Sequence, residues 1–424
     1  MNEEHPKNTG ISRRQLLGAA AVGAVAGAVP TLVRPASARG AIASRSVASQ
    51  VAPLNGDGII VLLTLYGGSD GLNVVVPASD PAYQSARGAL AWQPAQVLPL
   101  ADGLGLNPAM PGLQGLFKAG KLAVVQGVGY ANPNRSHFRS MDIWQSGVPD
   151  GFEISGWLGR WHDLMGTDPL RMVHLGASVP RALVGRKGSA SALPSGQIDI
   201  PAALAPGFTA LGALGSELGS WGARIAGSGV DLLRVKDRYG PILAGTPVVA
   251  AGSSLEGGAT ASGESRTELD DQLDVVATLI GAQTPARVFS VALGGFDTHA
   301  QERDQHTRLL AAVDGALTRF QTKIAALGMG SRVVTVAYSE FGRRVAANLS
   351  AGTDHGTAAP VFVLGEAVRG GLHGTAPSLT DLDQGDLKFT TDFRSIYAAV
   401  LGSVLGADAS AVLPKPPPAL AGLF

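Results

Sequence analysis

The stretch "GIIVLLTLYGG" (residues 58–68) is a near-continuous apolar run that glycines bound on both sides. It is too short for most helices, and the pattern is typical of a strand that is buried on both faces of a parallel sheet. Five later runs repeat it, at residues 121–129, 170–176, 286–295, 331–342 and 359–365. The sequence therefore predicts a central sheet that is covered on both faces.

Helical periodicity lies between several of these runs. It predicts helices at residues 266–279, 304–327 and 391–406, and Thr391 or Asp392 is a suitable cap for the last one. Strands alternating with helices favour an α/β fold, a three-layer α/β/α sandwich with a mainly parallel central sheet. We expect a single domain at residues 58–424, with an inserted cap or lid at about residues 188–264, where Ala, Gly, Ser and Pro dominate.

The first 38 residues have the features of an export signal. Arg13 and Arg14 are followed by a weakly hydrophobic Ala/Gly-rich run and by "ASA" at residues 36–38. This pattern predicts a twin-arginine signal at residues 1–38, followed by a linker at residues 39–57. The alternative is an uncleaved membrane anchor, although the run is short for a span. We expect an exported protein, periplasmic or secreted, that engages the twin-arginine export machinery and has no stable transmembrane span once mature.

Composition excludes several classes of function. The 424 residues carry a formal net charge of zero, so no nucleic-acid partner is indicated. Cysteine is absent, which excludes disulfides, thiolate metal sites and cysteine nucleophiles. Any metal must bind through His, Asp, Glu or a hydroxyl oxygen. The sequence contains no G-x-G-x-x-G after a predicted strand and no P-loop signature.

Polar residues gather just after the predicted strands, where parallel sheets bind their ligands. They are Asp70 in "GGSDGLN", Ser136 and His137 in "NRSHFRS", Asp297 and His299 in "GGFDTH", Glu340 and Arg343 in "SEFGRR", and Asp354 and His355 in "GTDHGTAAP". Asp297 and His299 are two residues apart, so in extended backbone both point to one face. Asp297 is equally suited to capping a helix, and Asp70 to an ordinary turn.

These motifs, together with the leader, resemble an exported bacterial family labelled domain of unknown function 1501. The resemblance covers about residues 58–406 and includes "DFRSIYAAVLG" near its end. The order of the motifs is more distantly similar to that of the alkaline phosphatase and sulfatase superfamily, especially its phosphomutases. The distant resemblance implies an alkaline phosphatase-like fold with two metals and a hydroxyl nucleophile.

The same resemblance implies roles for the candidate residues. Asp297, His299 and His355 would hold one divalent metal, for which Zn or Mn is best suited. Asp70 and Glu340, with Ser136, would belong to a second site. Phe341 stands where the superfamily has a ligand histidine, so that second site would use a substitute imidazole from His137 or bind Mg or Ca through oxygens. Asp354 would orient His355 or cap the loop.

We therefore expect an exported metal-dependent hydrolase of a phosphate or sulfate ester, acting on a small molecule or an envelope component. Ser136 would be the nucleophile, and Arg343 or Arg135 would neutralise substrate oxygens, unless these arginines are only solvated surface groups. The alternative is a non-catalytic protein of cell-envelope binding or assembly that keeps the fold and at most one metal site.

Overall fold

The computed structural model describes residues 54, 56–193, 198, 200–246 and 266–424. The predicted signal at residues 1–38 and all but three residues of the predicted linker lie outside this part. The strands, in chain order, are β1 (Ile59–Leu65), β2 (Val75–Val76), β3 (Leu98–Pro99), β4 (Gly105–Leu106), β5 (Leu122–Gly129), β6 (Met172–His174), β7 (Ser191–Ala192), β8 (Val288–Leu293), β9 (Val333–Tyr338), β10 (Arg343–Ala347), β11 (Thr353–His355), β12 (Ala359–Leu364), β13 (Gly371–His373), β14 (Leu382–Asp383), β15 (Asp386–Leu387) and β16 (Thr391–Asp392).

The α-helices lie between and after these strands. They are α1 (Gly71–Val74), α2 (Pro81–Arg87), α3 (Pro111–Lys118), α4 (His137–Ser146), α5 (Trp157–Leu164), α6 (Ala205–Leu214), α7 (Gly219–Leu243), α8 (Glu268–Gly281), α9 (Glu302–Ala326), α10 (Phe393–Ser403) and α11 (Ala409–Val412). Short 3-10 helices occupy Gly88–Leu90, Arg181–Leu183, Ala202–Leu204 and Gly215–Leu218.

Local sequence explains where two of the predicted helices begin. Thr267 and Asp270 form a capping box at the start of α8, each side chain accepting from the other's backbone N–H. Asp392, rather than Thr391, is the N-cap of α10, because its carboxylate accepts from the backbone N–H of Arg394. All six predicted strands and all three predicted helices are present, with ends shifted by a few residues.

Nine of the described strands form one sheet in the order β13-β5-β12-β9-β1-β8-β6-β7, with β16 also paired to β5. Every pairing is parallel except those of β12, which runs antiparallel to both β5 and β9. The sheet is therefore mainly parallel, as the sequence predicts. Because β12 alone is reversed, its beginning lies at the edge where its neighbours end.

Both faces of the sheet are covered, which makes the fold a three-layer sandwich. On one face, alternate strand residues such as Val334 and Val336 pack with Trp144, Trp157 and other side chains of α4, α5 and α10. On the opposite face, the side chain of Gln321 in α9 donates to the hydroxyl of Thr335. All seven residues of β1 are buried, as a central strand of such a sheet requires. The predicted α/β fold class is confirmed.

The described chain divides into two compact units. Residues 198–241 form the smaller one, and the sheet belongs to the larger one. The predicted domain boundaries and the predicted role of residues 188–264 as a cap or lid stay predictions. No helix among the described residues is long and apolar enough to cross a membrane.

Candidate metal centre

Four residues meet at the carboxyl edge of the sheet, and we call them the histidine cluster: His137, Asp297, His299 and His355. His137 is the first residue of α4, in the segment that follows β5. Asp297 and His299 follow β8, and His355 ends β11 shortly before β12. His355 reaches the cluster because β12 is reversed, which places the chain before it at the edge where the parallel strands end.

The ligand atoms of the cluster converge on Asp297. Its Oδ1 lies 3.0 Å from Nε2 of His299 and 3.0 Å from Nε2 of His355, and these two nitrogens are 2.9 Å apart. On the other side, Oδ2 lies 3.5 Å from Nε2 of His137. Among the described residues, His137, Asp297 and His355 also offer ligand atoms that all lie within 4.8 Å of one another, close enough to hold a metal ion.

The outer nitrogens of two imidazoles are held by acceptors. Nδ1 of His137 lies 2.8 Å from Oε1 of Glu340, and Nδ1 of His355 lies 2.8 Å from the carbonyl oxygen of Arg135. A carbonyl can only accept, so Nδ1 of His355 donates, and in the neutral ring Nε2 is then a free lone pair that faces Asp297. An Nε2 that carries a proton donates to Oδ1 of Asp297 at 3.0 Å, and one without a proton can bind a cation. Fixing the outer ring nitrogen is the usual way in which metal-binding histidines are oriented.

His137 also has a ring nitrogen in a position to bind a cation. Its Nε2 is buried and has no hydrogen-bond partner among the described residues, although it points towards Asp297. Interaction with Asp297 and then with Glu340 raises the pKa of His137 to about 9. The side chain is therefore placed where a positive charge is favoured, whether that charge is a proton or a bound metal.

Arg343 holds Asp297 from behind. Its side chain is fully buried, and its guanidinium donates to Oδ1 of Asp297 at 2.7 Å and to the carbonyl oxygens of Gly67, Gly68, Phe296 and Thr353. Burial would raise the pKa of Asp297, but the interactions with His137, His355 and Arg343 outweigh it and hold the pKa well below its ordinary range. The structure thus places Arg343 beneath the cluster, out of reach of a substrate.

Glycines allow the loops of the site to approach this closely. At Gly67, where φ is +119°, an added Cβ would lie 2.4 Å from the backbone nitrogen of Asp297. At Gly352 it would lie 2.3 Å from the backbone of His299. Real side chains cannot be accommodated at such distances, so both positions require glycine.

Asp354 lies beside His299 and not beside His355. Its Oδ1 is 3.5 Å from Nδ1 of His299 and accepts from Nδ2 of Asn348 at 3.1 Å. Asn348 also donates to the backbone carbonyl of His299 at 2.9 Å. Asp354 is therefore placed to orient His299, and not His355 as the sequence predicted. Glu340 is placed to orient His137.

Asp70 lies apart from the histidine cluster, in a fully buried ion pair with Arg87. The two groups form a bidentate contact, with Nη2 of Arg87 donating to Oδ1 at 2.7 Å. Glu302 and His306 are close by, and burial followed by the charge of Asp70 raises the pKa of Glu302 to about 9. A fixed guanidinium thus neutralises the carboxylate that the sequence assigned to a second metal.

Ser136 adjoins the cluster in sequence, and Phe341 packs against it. Ser136 is an exposed residue at the N-cap of α4, next to His137. Phe341 is buried, and its ring centroid lies 4.9 Å from that of His137 and 4.8 Å from that of His355. The sequence reading missed Arg87, Glu302, His306 and Asn348. A helical spacing inside α9 was the signal for two of them, since Glu302 and His306 are four residues apart and share one face.

In the comparison with known protein families, part of the chain matches one family model. The model of DUF1501, described as a protein of unknown function, matches residues 272–406. The predicted resemblance to that family is confirmed over this part, which contains Asp297, His299 and His355 but not Ser136 or His137. The chain matches no curated protein in sequence.

Several solved structures resemble the fold distantly. A protein of the alkaline phosphatase superfamily from Vibrio parahaemolyticus is 9% identical over 84% of this chain and 68% of its own, with a TM-score of 0.40. The PsFucS1 sulfatase from Pseudoalteromonas sp. is 11% identical over 84% and 68%, with a TM-score of 0.39. The lipoteichoic acid synthase LtaP from Listeria monocytogenes is 8% identical over 85% and 75%, with a TM-score of 0.37. Likeness at this level carries no argument about activity, which must come from the site.

Proposed function

We propose that the protein is an exported metal-dependent hydrolase of phosphate or sulfate esters, with one divalent metal in the histidine cluster. The observation that carries the proposal is the convergence of Nε2 of His299, Nε2 of His355 and Oδ1 of Asp297 at 2.9 to 3.0 Å from one another. Ligand atoms about 2.1 Å from an ion lie about 3.0 Å apart at right angles and about 3.4 Å apart at tetrahedral angles, so these atoms have a spacing close to that of a ligand set.

The donor atoms favour Zn or Mn. Imidazole nitrogens with one carboxylate suit these metals better than Mg or Ca, which prefer all-oxygen sites. His137 is the fourth ligand in this proposal, since its unpaired Nε2 faces the same carboxylate. A metal held there would polarise an ester oxygen and favour the ionised form of a nucleophile.

Residues around the cluster have separate roles in this proposal: they orient the ligands, provide the nucleophile and bind substrate oxygens. Glu340 and the Arg135 carbonyl fix the rings of His137 and His355, and Arg343 fixes Asp297. The exposed hydroxyl of Ser136 is the proposed nucleophile, because it is adjacent in sequence to a ligand and open to solvent. The side chain of Arg135 pairs with Asp386 and is 38% exposed, so it remains available for substrate oxygens in a way that Arg343 does not.

A non-catalytic protein of cell-envelope binding or assembly, with at most one metal site, is the second candidate. The observations that favour it are that Arg87 neutralises Asp70 and that the ring of Phe341 packs against two histidines of the cluster. The two candidates differ in whether a metal is required and in whether Ser136 reacts.

Metal content tests whether the histidine cluster binds a metal ion. We expect protein purified without chelators to contain about one equivalent of Zn or Mn, and its Tm to fall when the metal is removed. His355→Ala should abolish the metal, whereas His373→Ala, at a histidine on the edge strand β13, should retain it. Metal-free wild-type protein whose Tm no divalent ion raises would refute the hydrolase and leave only the non-catalytic candidate, without a metal.

A panel of phosphate and sulfate monoesters and diesters distinguishes the hydrolase from the non-catalytic envelope protein. A hydrolase should turn over at least one ester in a metal-dependent way, and Ser136→Ala should lower its kcat by a factor of about a hundred or more. Equal rates for wild type and Ser136→Ala would remove Ser136 as nucleophile. Metal binding without turnover of any ester would favour the envelope protein.

A further inference from the structure

A cavity of about 390 Å³ adjoins the histidine cluster, and its volume is within the range of pockets that bind small molecules. Phe341 lies in its wall and also packs against the rings of His137 and His355. Asn134 lies in the wall as well, and its Oδ1 accepts from the backbone N–H of Ser136 at 2.8 Å. A molecule held in this cavity would therefore lie next to the metal centre and the proposed nucleophile.

Aromatic side chains form much of the wall of this cavity. Tyr130, Trp144, Phe341 and Phe389 come from four separate segments of the chain and all line it. The first three are at most 3% exposed, whereas Phe389 is 38% exposed. Aromatic rings are favourable neighbours for another flat ring, either face to face with an offset or edge to face. The shape of the wall thus favours a flat, apolar ring.

Several polar side chains of the wall already have partners within the protein. The hydroxyl of Tyr130 lies 2.8 Å from Oγ of Ser140, and the hydroxyl of Thr357 donates to a backbone carbonyl. The amine of Lys388 pairs with Asp381. A sugar would bring many hydroxyl groups into a cavity where few partners are left for them, and unpaired buried hydroxyls weaken binding. An aromatic ring does not have this requirement.

The remaining polar features indicate a neutral ligand with an acceptor atom. The charged residues of the wall are Asp383 and Lys388, so the wall has no net charge that would select an ion. Trp144 is 2% exposed, and its Nε1 has no hydrogen-bond partner among the described residues. Since a buried donor normally has a partner, an oxygen atom on a bound ring is a suitable acceptor for this N–H group.

We propose that the cavity binds a neutral, planar aromatic ring that carries an oxygen atom, as a phenol does. In an ester substrate this ring would be the alcohol part, an assignment that rests on the proposed hydrolase activity, whereas binding of the ring does not. Hydrolysis would break the bond between phosphorus or sulfur and the aryl oxygen. Water would supply the proton of the released phenol and the oxygen added to the phosphate or sulfate. Phe341, which offers no ligand atom, would serve as a wall between the ring and the metal ligands.

Titration calorimetry of the full chain with 2-naphthol tests the binding site, and it works with or without metal because no turnover is needed. We expect 2-naphthol to bind and methyl glucoside not to bind measurably. Phe389→Ala should weaken 2-naphthol binding by about tenfold, because the ligand loses an aromatic neighbour and buried apolar area. Phe389→Tyr keeps the ring and should retain the affinity. The matched control is Phe152→Ala, at a phenylalanine that is 68% exposed and outside the wall, and it should bind like wild type.

Three results would overturn the binding site: no binding of 2-naphthol to wild type, equal affinity in wild type and Phe389→Ala, or tighter binding of the glucoside than of 2-naphthol. Ester kinetics then test the role of the site in hydrolysis. Phe389→Ala should lower kcat/KM for the 2-naphthyl ester by about tenfold, mainly through KM, and leave kcat/KM for the methyl ester of the same acid unchanged.

The two proposals fail in different ways. Binding of 2-naphthol without turnover of any ester would refute the hydrolase and leave the ring site in place. Turnover of the 2-naphthyl ester at the same kcat/KM in wild type and Phe389→Ala would leave the hydrolase in place and refute the cavity as the position of the alcohol part.

Discussion

Asp297 and Asp70 both follow a buried parallel strand in a glycine-rich loop, yet the structure gives them opposite surroundings. Asp297 is half exposed and faces three imidazoles, whereas Asp70 is completely buried against one guanidinium. Imidazole nitrogens can give up a proton and bind a metal, but the guanidinium of Arg87 stays charged at any ordinary pH. The comparison teaches that the partner supplied by a distant segment, and not the local motif, decides whether such a carboxylate is a candidate ligand.

The largest expected effect is a loss of metal affinity. Asp297→Asn keeps an oxygen that accepts from Arg343 but removes the negative charge shared by the histidines, so metal affinity should fall by about a thousandfold, or about 4 kcal/mol. Titration calorimetry with Zn or Mn measures it. Asp70→Asn is the matched control, since Asp70 lies outside the cluster. A similar loss of metal affinity in both variants would contradict the division between the two aspartates.

Arg87→Met should produce the largest effect on stability. It leaves Asp70 charged and buried without its partner, which should lower the free energy of unfolding by about 3 kcal/mol. Urea unfolding of the metal-free protein measures it. Arg319→Met, at the exposed end of a pair with Asp270, should cost less than about 1 kcal/mol. Arg87→Met combined with Asp70→Leu should recover much of the loss, and no recovery would show that the charge of Asp70 is not the cause.

Glu340→Gln should have an intermediate effect on metal binding. The amide still accepts through its oxygen but no longer holds His137 with a charge, and outer-shell changes of this kind usually lower metal affinity by about 10- to 100-fold. Asp354→Asn should have a smaller effect, because its contact with His299 is 3.5 Å long and open to solvent. Equal losses in the two variants would argue against Glu340 as the partner that orients His137.

Much of the fold followed from the sequence, since apolar runs that end at a glycine marked all six predicted strands. The direction of β12 did not follow from its apolar composition, although a signal for it existed. Parallel neighbours need a crossover connection, usually a helix, and residues 343–358 contain only the hairpin of β10 and β11. An antiparallel β12 is the simplest arrangement for that connection, and it is what brings His355 to the other ligands.

The candidate site was predicted less completely. Asp297, His299 and His355 come together as expected, because each lies next to a strand end at the same edge. The neighbours of Asp70 could not be predicted in this way, since Arg87 comes from a helix that the sequence analysis did not predict and Glu302 lies just before the helix predicted at residues 304–327. The burial of Arg343 depends on four carbonyl groups from three separate segments, which no short motif encodes.

The last expected effect is a change in the pH dependence of stability, and it concerns the surroundings of Asp70. The pKa of Glu302 is raised to about 9 in the folded chain from its ordinary value of 4.5, so the folded state alone carries this proton between those pH values. Stability contributed by the proton is present at low pH and is lost as the pH rises towards 9, with a slope of up to about 1.4 kcal/mol per pH unit. Glu302→Gln retains the acceptor for Thr353 and cannot ionise, so the free energy of unfolding should fall less steeply between pH 7 and 9 than in wild type. His137 titrates in the same range but contributes equally to both proteins, so only the difference between them reports on Glu302. Identical slopes would show that Glu302 does not carry a proton beside Asp70 in the folded chain between pH 7 and 9.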